Sequence, residues 1–580
     1  MPKASYEARR PQRVPPPAGP LQVNFCRNPA CDNFGRPPGN SHGGSKAAKD
    51  EPPYVMSGGG GSLPPTAICK ACNESFALKS NHGVAEEVAR LTNYLQPPPE
   101  PTCPTEGCAH QAKGVHSHPD GYQRFGHTSA GSHRYRCKAC LRLFAIAASA
   151  TPRQKRSDVN ALVFRLLVNK MPMRRICETA GIGPQTLYTK LRFLSERTRV
   201  FTRKHEAPLL EGRALPSLLL STDRQDYLIN WGTSADRRNI RLHGIGTADN
   251  RSSFVFGMHI DYDSSLDPGN VEMEALECGD YGIVQPFRRF ARVWLKRDWT
   301  AENVLLRQRH HRASHTGVSS SELTADDGPR HWADYTKLPG RGMKVRSDYS
   351  MMAHMQIVAR MTSGSPHVAL YLDQDSGLRS ATHVAFENRI RVGSVDTFHV
   401  RINKDMTIDQ KGLAVAQAAQ RMAKFTQARR ITAKEGPQRM LEEALAQRGF
   451  RPRWQDRWMT HPIPDGSEPE KELLHLTDRP ELTDARRAAM HLWGSLRGID
   501  RFFMIVRRRQ SLLERPISSA SAAGRVFYGN NPYRPWVVES VLDLLRVTYN
   551  YHHRGQDQRT PAERLGLTTR AYSLEDILGG

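Results

Sequence analysis

The most constraining feature of this sequence is a duplicated set of cysteine pairs near the amino terminus. Eight of the ten cysteines form four pairs, and a pair separated by four residues precedes a pair separated by two, twice over. The pairs are Cys26 and Cys31, Cys69 and Cys72, Cys103 and Cys108, and Cys137 and Cys140. Each shorter pair lies in a Cys-Lys-Ala-Cys segment that is followed, after three further residues, by Phe-Ala. The repeat therefore predicts one small module that occurs twice.

Cysteine pairs at these spacings are typical of structural zinc sites. Each pair presents two thiolates, and two pairs complete a tetrahedral four-cysteine site that leaves no open coordination position. We therefore predict two zinc ribbons, ribbon 1 at residues 21–95 and ribbon 2 at residues 96–152, with about two structural zinc ions in all. The nearby histidines are interpreted as loop residues, and residues 1–20 as a disordered basic arm.

The length and charge of the chain indicate a multidomain protein that binds polyanions. A chain of 580 residues is several times the size of one typical core. Its 83 Lys and Arg against 58 Asp and Glu give a formal charge of +25, which attracts nucleic acid. A merely basic protein is the alternative. No apolar run approaches the length of a membrane span, and the amino terminus lacks the apolar core of a signal peptide. We expect a bacterial, cytoplasmic, nucleoid-associated protein with no membrane partner and no small-molecule substrate.

A helix-turn-helix is predicted at residues 153–205. Two short amphipathic helices precede a Gly-Ile-Gly turn at 181–183, and Pro184 suits the first position of a third helix. Residues 151–204 hold 13 Lys or Arg against 3 Asp or Glu, which suits a surface that faces phosphate. The predicted DNA-binding residues are Gln185, Thr186, Thr189, Lys190 and Arg192 on the third helix, and Arg174 and Arg175 on the second. The alternative is a small helical packing domain with a solvated basic face.

Three acidic positions stand out further along the chain. An apolar strand at 218–222 ends on Asp223, a second apolar strand at 367–372 ends on Asp373, and Glu514 follows a run of three arginines. Any single acidic residue is more often a solvated surface group than a catalyst, so only the ordered set carries weight. Each position has an alternative nearby in the sequence: Asp226 for Asp223, Asp375 for Asp373, and Glu539 for Glu514.

Taken together, these motifs resemble the DDE transposases of bacterial insertion sequences, which have a ribonuclease H-like fold. The resemblance rests on the Cys-Lys-Ala-Cys ribbon, the Thr186-Leu187-Tyr188 helix, Asp223 on a strand, and Asp373 followed after three residues by Gly377-Leu378. It rests further on Tyr549-Asn550 and on the closing string Thr-Pro-Ala-Glu-Arg-Leu-Gly-Leu at 560–567.

The resemblance implies an α/β ribonuclease H-like catalytic domain at residues 210–402 and 495–572, interrupted by a helical insertion at 403–494. It implies that Asp223, Asp373 and Glu514 hold two Mg²⁺ or Mn²⁺ ions, which suit carboxylate ligands and in-line phosphoryl displacement. The expected activity is cleavage of element ends and strand transfer into target DNA by a homodimer or higher oligomer. The alternative function is a DNA-binding regulator whose nuclease-like domain is catalytically inactive.

Overall fold

A computed structural model of the chain describes residues 13–39, 54–58, 64–97, 100–129, 131–146, 154–230, 238–304, 337–403, 406–464, 466–514 and 530–579. The described strands are β1 Tyr54–Ser57, β2 Thr66–Cys69, β3 Ser75–Ala77, β4 Tyr122–His127, β5 His133–Cys137, β6 Leu143–Ile146, β7 Leu218–Ile229, β8 Ile240–Asp249, β9 Val255–Ile260, β10 Tyr262–Asp263, β11 Met343–Lys344, β12 Val368–Asp373, β13 Val395–Ile402, β14 Trp458–Thr460 and β15 Lys471–His475.

The described α-helices are α1 Asn81–Thr92, α2 Asn160–Leu167, α3 Met173–Ala180, α4 Pro184–Leu210, α5 Pro268–Glu277, α6 Ser347–Met361, α7 Ser376–Ala385, α8 Glu387–Arg391, α9 Ile408–Arg429, α10 Gly436–Arg448, α11 Asp484–Leu492, α12 Arg497–Arg509, α13 Pro535–Tyr551, α14 Pro561–Leu565 and α15 Leu574–Gly579. Within the described ranges, no helix combines the length and apolarity that crossing a membrane requires.

The largest sheet has seven strands in the order β14-β15-β13-β12-β7-β8-β9. Strand β12 runs parallel to both β7 and β13, and every other pairing in this sheet is antiparallel. β12 reads Val-Ala-Leu-Tyr-Leu-Asp and is buried up to its last residue, as a central parallel strand covered on both faces must be. The protein is therefore a multidomain α/β structure built around a mixed sheet.

Helices cover both faces of this sheet. Leu218 and Leu220 of β7 lie in the main core, whereas Leu219 packs with Ala369 and Tyr371 in a second core on the opposite face. Alternation of side chains along a strand produces this separation. Helix α11 closes the second face, where the Tyr371 hydroxyl donates a hydrogen bond to the Met490 carbonyl at 2.6 Å.

Three helices occupy the region predicted as a helix-turn-helix. Helices α2, α3 and α4 meet in one core, and Gly181 between α3 and α4 has a φ of 60°, a conformation that glycine adopts without strain. Helix α4 is longer than predicted because its second half is held by α13. There the buried Glu206 carboxylate accepts hydrogen bonds from Arg546 at 3.0 and 2.9 Å.

Two expectations about the ends of domains are corrected by the structure. Residues 13–20 of the arm predicted to be disordered are packed, since the Asn81 amide donates hydrogen bonds to the Pro15 and Pro16 carbonyls; residues 1–12 lie outside the described part. The region 403–494, predicted as a helical insertion, also contributes β14 and β15 to the large sheet. Leu473 and Leu474 are fully buried there, which explains why this segment pairs with β13.

Candidate functional site

Each predicted zinc ribbon brings its four cysteines together. In ribbon 1 the Sγ atoms of Cys26 and Cys72 lie 3.4 Å apart, and those of Cys31 and Cys69 lie 3.8 Å apart. In ribbon 2 the matching distances are 3.3 Å for Cys103 and Cys140 and 3.7 Å for Cys108 and Cys137. Within each cluster all four sulfur atoms lie within 4.8 Å of one another.

These distances fit a tetrahedral zinc ion, because Zn–S bonds of about 2.3 Å separate neighbouring sulfur atoms by roughly 3.8 Å. The prediction of two four-cysteine clusters is confirmed, and the clusters could bind two zinc ions.

The duplication extends beyond the cysteines to a tyrosine that the sequence analysis did not identify. The hydroxyl of Tyr54 accepts a hydrogen bond from the Cys26 backbone N–H at 2.8 Å, and that of Tyr122 accepts one from Cys103 at 3.1 Å. Each ring also meets the repeated phenylalanine edge to face, with centroids 6.0 Å apart at Phe76 and 5.9 Å apart at Phe144. Each tyrosine stands 15 residues before the first cysteine of the shorter pair, which was the available signal, and only its spacing from the longer pair differs between the ribbons.

A further matched position contacts a cluster sulfur atom in each ribbon. The residue two places after the second cysteine is Asn33 in ribbon 1 and His110 in ribbon 2. The Asn33 amide donates to the Cys69 Sγ at 3.4 Å, and the His110 Nδ1 lies 3.5 Å from the Cys137 Sγ. Donors of this kind stabilise thiolates around a metal and orient them. His110 therefore has a more specific place than the loop role predicted for it.

The large sheet brings two of the predicted acidic residues to adjacent positions. Thr222 of β7 pairs with Leu372 of β12 in parallel register, and Asp223 and Asp373 are the next residues on the two strands. Because side chains alternate along strands, both carboxylates point to the face that carries Ser221 and Tyr371. Both are partly exposed.

The structure separates each of these residues from its neighbouring alternative. Asp226 lies three residues beyond Asp223, so it points to the opposite face of β7, where its carboxylate pairs with Arg241 and lies 2.6 Å from the His243 Nδ1. Burial raises the pKa of Asp226, but His243 and Arg241 outweigh it and hold the pKa well below its usual range.

Asp375 caps helix α7 and pairs with Arg224. Its carboxylate accepts hydrogen bonds from the Gly377 and Leu378 N–H groups at 2.6 and 3.2 Å and lies 2.5 Å from Arg224. Helix capping accounts for an aspartate at this position without any catalytic role.

The structure does not place either predicted third carboxylate beside this pair. Glu514 follows α12 at the protein surface, where it forms an ion pair of 2.8 Å with Lys170. Glu539 of α13 pairs with Arg199 at 3.0 Å and lines a separate cavity with Arg90 and His259. Burial raises the pKa of Glu539, while Arg199 opposes that shift. The role predicted for Glu514 stays a prediction.

Helix α12 carries an acidic residue that the sequence analysis missed. The Ile499 N–H donates to the Ser221 hydroxyl at 3.0 Å, and Ile499 and Phe503 close over Gly246, which pairs with Asp223. The helix therefore lies across β7 on the face of the two aspartates. Asp500 is the acidic residue in its first turn.

The periodicity of α12 indicates which way Asp500 points. Arg507 reaches Gln225, whose amide oxygen accepts from the Arg507 Nε at 2.6 Å when the amide is oriented toward it. Seven residues are nearly two helical turns, so Asp500 and Arg507 share one edge of α12. Since Gln225 lies two residues beyond Asp223 on the same face, that edge of α12 faces β7. The sequence signal for Asp500 was its position seven residues before the first of three consecutive arginines.

Most of the predicted DNA-binding residues lie at the surface. Arg174 and Arg175 are exposed and form ion pairs with Glu178. Gln185 and Thr189 are exposed and Thr186 is half-buried. Arg192 is exposed and lies over the ring of Trp536, with its guanidinium carbon 4.6 Å from the ring centroid.

Lys190 is the exception, and its assignment to the DNA-binding surface is wrong. The residue is 1% exposed, and its ammonium group donates to the Lys155 and Arg156 carbonyls and to Asn160 at 2.7 Å. Burial lowers the pKa of Lys190. An ammonium group whose donors are used inside the domain holds the start of α2 against α4 and is not available to phosphate.

Comparison with known proteins adds no identification: no protein-family model matches the chain, and no curated protein matches it.

Proposed function

We propose that this protein is a DNA transposase that binds element ends and catalyses metal-dependent strand cleavage and strand transfer. The observation that carries the proposal is the pairing of Asp223 and Asp373 at adjacent positions of two parallel strands. Carboxylates at adjacent positions of neighbouring strands can share a divalent cation, since oxygen ligands suit Mg²⁺. Two divalent cations held there would activate the attacking oxygen and stabilise the leaving oxygen of a phosphodiester.

The topology of the large sheet supports a ribonuclease H-like catalytic domain. In such a domain we expect a three-stranded antiparallel meander whose first strand pairs in parallel with the fourth. Strands β7, β8 and β9 form such a meander, and β12 and β13 extend the sheet from β7 in parallel. The carboxylates lie on the first and fourth strands of this set.

We propose Asp500 as the third carboxylate, in competition with Glu514. Asp500 lies in the first turn of α12, on the edge that also carries Arg507, whereas Glu514 lies beyond the end of that helix, beside Lys170. Among the described residues no three carboxylates lie within 4.8 Å of one another, so the Asp500 side chain would have to turn toward Asp223 and Asp373 to complete the oxygen-ligand set that Mg²⁺ prefers. Arg507 on the same edge is placed to contact DNA phosphate beside the metals.

The amino-terminal half supports binding to DNA. Helix α4 presents Gln185, Thr189 and Arg192 at the surface, and α3 presents Arg174 and Arg175. Base-edge contacts from the first group would specify a sequence, and phosphate contacts from the second would position the protein. Two copies of the chain, each bound to one DNA end, complete the proposal.

Cleavage of plasmid DNA tests this function. The substrate is a supercoiled plasmid that carries the DNA flanking the coding sequence, incubated with Mg²⁺ or Mn²⁺. Asp223→Asn and Asp373→Asn are expected to slow nicking by at least about 100-fold while DNA binding and folding persist. Asp226→Asn is the matched control and is expected to nick normally. Binding without nicking by the wild-type protein would favour the regulator.

The same assay decides the third carboxylate. Asp500→Asn is expected to abolish nicking, whereas Glu514→Gln and Glu539→Gln are expected to nick nearly normally. All three changes keep the side-chain shape and remove the charge. Loss of nicking in Glu514→Gln with normal nicking in Asp500→Asn would return the third position to Glu514.

A further inference from the structure

A surface groove runs between the first half of α4 and the start of α13. It has two connected parts of about 750 and 680 Å³, which share Arg192, Glu196, Tyr533, Arg534 and Trp536. This size lies within the range of sites that hold small organic groups. The first part is also lined by Gln185 and Thr189, so the groove begins on the surface predicted to read DNA.

Aromatic rings form the floor and rim of the groove. Tyr533 is 51% exposed, so most of its ring is accessible to a ligand. Trp536 is half-buried, with the Tyr188 ring 6.0 Å away at its edge and the Arg192 guanidinium above its face. Flat rings beside an arginine suit the stacking of a nucleobase, since every base has a π-face.

The charges around the groove favour an anionic occupant. The second part is lined by four arginines and two glutamates, a net charge of +2. The arginines are Arg192, Arg199, Arg341 and Arg534, and the glutamates are Glu196 and Glu539. Glu539 is already paired with Arg199. A nucleotide carries both the base that the rings accept and the phosphate that the arginines attract.

The segment that holds Tyr533 is fastened to the strand that carries Asp223. The Asn230 N–H donates to the Pro532 carbonyl at 2.9 Å, and the Asn531 amide donates to the Leu228 carbonyl at 3.0 Å. Asn230 lies seven residues beyond Asp223, which is roughly 23 Å along an extended strand. The groove therefore lies between the predicted recognition helix and the aspartates, about seven nucleotide steps from the latter.

We propose that this groove binds one unpaired nucleotide of the DNA, with its base stacked on Tyr533 and on the Arg192 guanidinium that covers Trp536, and its phosphate facing Arg534. The inference rests on the proposed function, because it takes DNA as the ligand. It assigns to Tyr533 and Trp536 a binding role that neither the motifs nor the acidic residues indicate. Arg192 then contributes to this stacking site and not only to the reading of paired bases.

Binding of two matched duplexes tests the proposal. A fluorescein-labelled duplex of 20 base pairs is compared, by fluorescence anisotropy, with the same duplex carrying one unpaired adenine. No Mg²⁺ or Mn²⁺ is added, so the result does not depend on cleavage. The wild-type protein is expected to prefer the unpaired nucleotide by about tenfold, the size of one base–aromatic stack.

Three variants locate that preference. Tyr533→Ala is expected to lose it, and Tyr533→Phe to keep it, because the phenyl ring stacks as well as the phenol. Phe450→Ala removes an aromatic ring that is 37% exposed on another groove and is expected to keep the preference. Equal wild-type affinity for the two duplexes would overturn the proposal, as would a Tyr533→Ala variant that weakens both equally.

The outcomes separate this proposal from the proposed function. If the protein prefers the unpaired nucleotide but never nicks DNA, the groove proposal stands and the transposase proposal fails. If the protein nicks DNA through Asp223 but shows no preference for the unpaired nucleotide, the transposase proposal stands and the groove proposal fails.

Discussion

The two ribbons share one construction but have opposite surroundings. In ribbon 1, Val23, Phe25 and Phe34 belong to the main core of the protein, whereas the buried residues of ribbon 2 form a separate cluster of their own. Ribbon 1 also binds helix α7, where the Arg27 guanidinium donates to the Ser380 hydroxyl at 2.7 Å. The cysteines of ribbon 1 also lie in a small cluster of their own, but the residues around that cluster join ribbon 1 to the main core, and those of ribbon 2 do not.

One matched position shows how the copies have diverged. The residue two places after the last cysteine is Glu74 in ribbon 1 and Arg142 in ribbon 2. Glu74 pairs with Arg379 of α7 at 2.6 Å, whereas Arg142 is exposed. In ribbon 2 five of the six residues of β4 are exposed as well. A duplicated module therefore serves as a packing element in one copy and, we expect, as a basic DNA-contacting surface in the other.

The largest expected effect comes from removing one zinc ligand in each copy. Cys69→Ser is expected to destabilise ribbon 1 together with the main core that it joins, by on the order of 5 kcal/mol, because metal binding supplies folding free energy. Cys137→Ser is expected to unfold only ribbon 2. Differential scanning calorimetry and zinc analysis distinguish these results, and each variant should retain one zinc ion. If both variants lost the main unfolding transition to the same extent, the proposed difference between the ribbons would be contradicted.

A smaller effect is expected from the ion pair that joins ribbon 1 to α7. Glu74→Gln leaves the Arg379 guanidinium largely buried without its partner, at a cost of about 3 kcal/mol. Chemical denaturation followed by far-ultraviolet circular dichroism measures this change. Arg142→Gln at the matched position of ribbon 2 is the control and should leave the unfolding free energy within about 0.5 kcal/mol. A stability change of similar size in the control would contradict the account.

The contact between ribbon 1 and α7 should also weaken in acid. His383 lies buried between the Arg27 carbonyl and Thr397, and burial, assisted by the charges of Arg379 and Arg27, lowers its pKa to about 3. Because the unfolded chain binds this proton more readily, the contribution is present above about pH 6.5 and declines as the pH falls toward 3.

At pH 5 this loss amounts to roughly 2 kcal/mol. Melting temperatures of the wild-type protein and of His383→Gln, measured from pH 5 to 8, separate the contribution of His383 from that of the other buried histidines. The variant is expected to show a shallower pH dependence, and an unchanged slope would count against the role of His383.

The smallest expected effect concerns the basic surface of ribbon 2. Arg142→Gln is expected to weaken binding to all DNA sequences several-fold and to reduce the slope of affinity against salt concentration by about one. A salt titration of anisotropy with a random duplex measures both quantities. Sequence-dependent loss of binding would mean that Arg142 reads bases.

The ribbons and the two aspartates could be predicted from the sequence because each depends on a local pattern. Spacing alone defines four thiolates around an ion, and Asp373 ends β12 as predicted, whereas the prediction that a strand ends on Asp223 is wrong because β7 continues to Ile229. Lys190 could not be judged in this way, since its burial depends on how the start of α2 crosses α4. Asp500 and Tyr533 depend on contacts with β7 that are more than 250 residues distant in sequence.

The central claim is that Asp223 and Asp373 jointly bind the catalytic cations, and a crystal of the protein soaked in Mn²⁺ tests it most directly. We predict anomalous density bridging the two carboxylates, with a second ion about 3.5–4 Å from the first and Asp500 within ligand distance of one of them. The same soak of Asp223→Asn should lose that density. Mn²⁺ bound elsewhere, with no density between Asp223 and Asp373 in a protein that nicks DNA, would contradict the account.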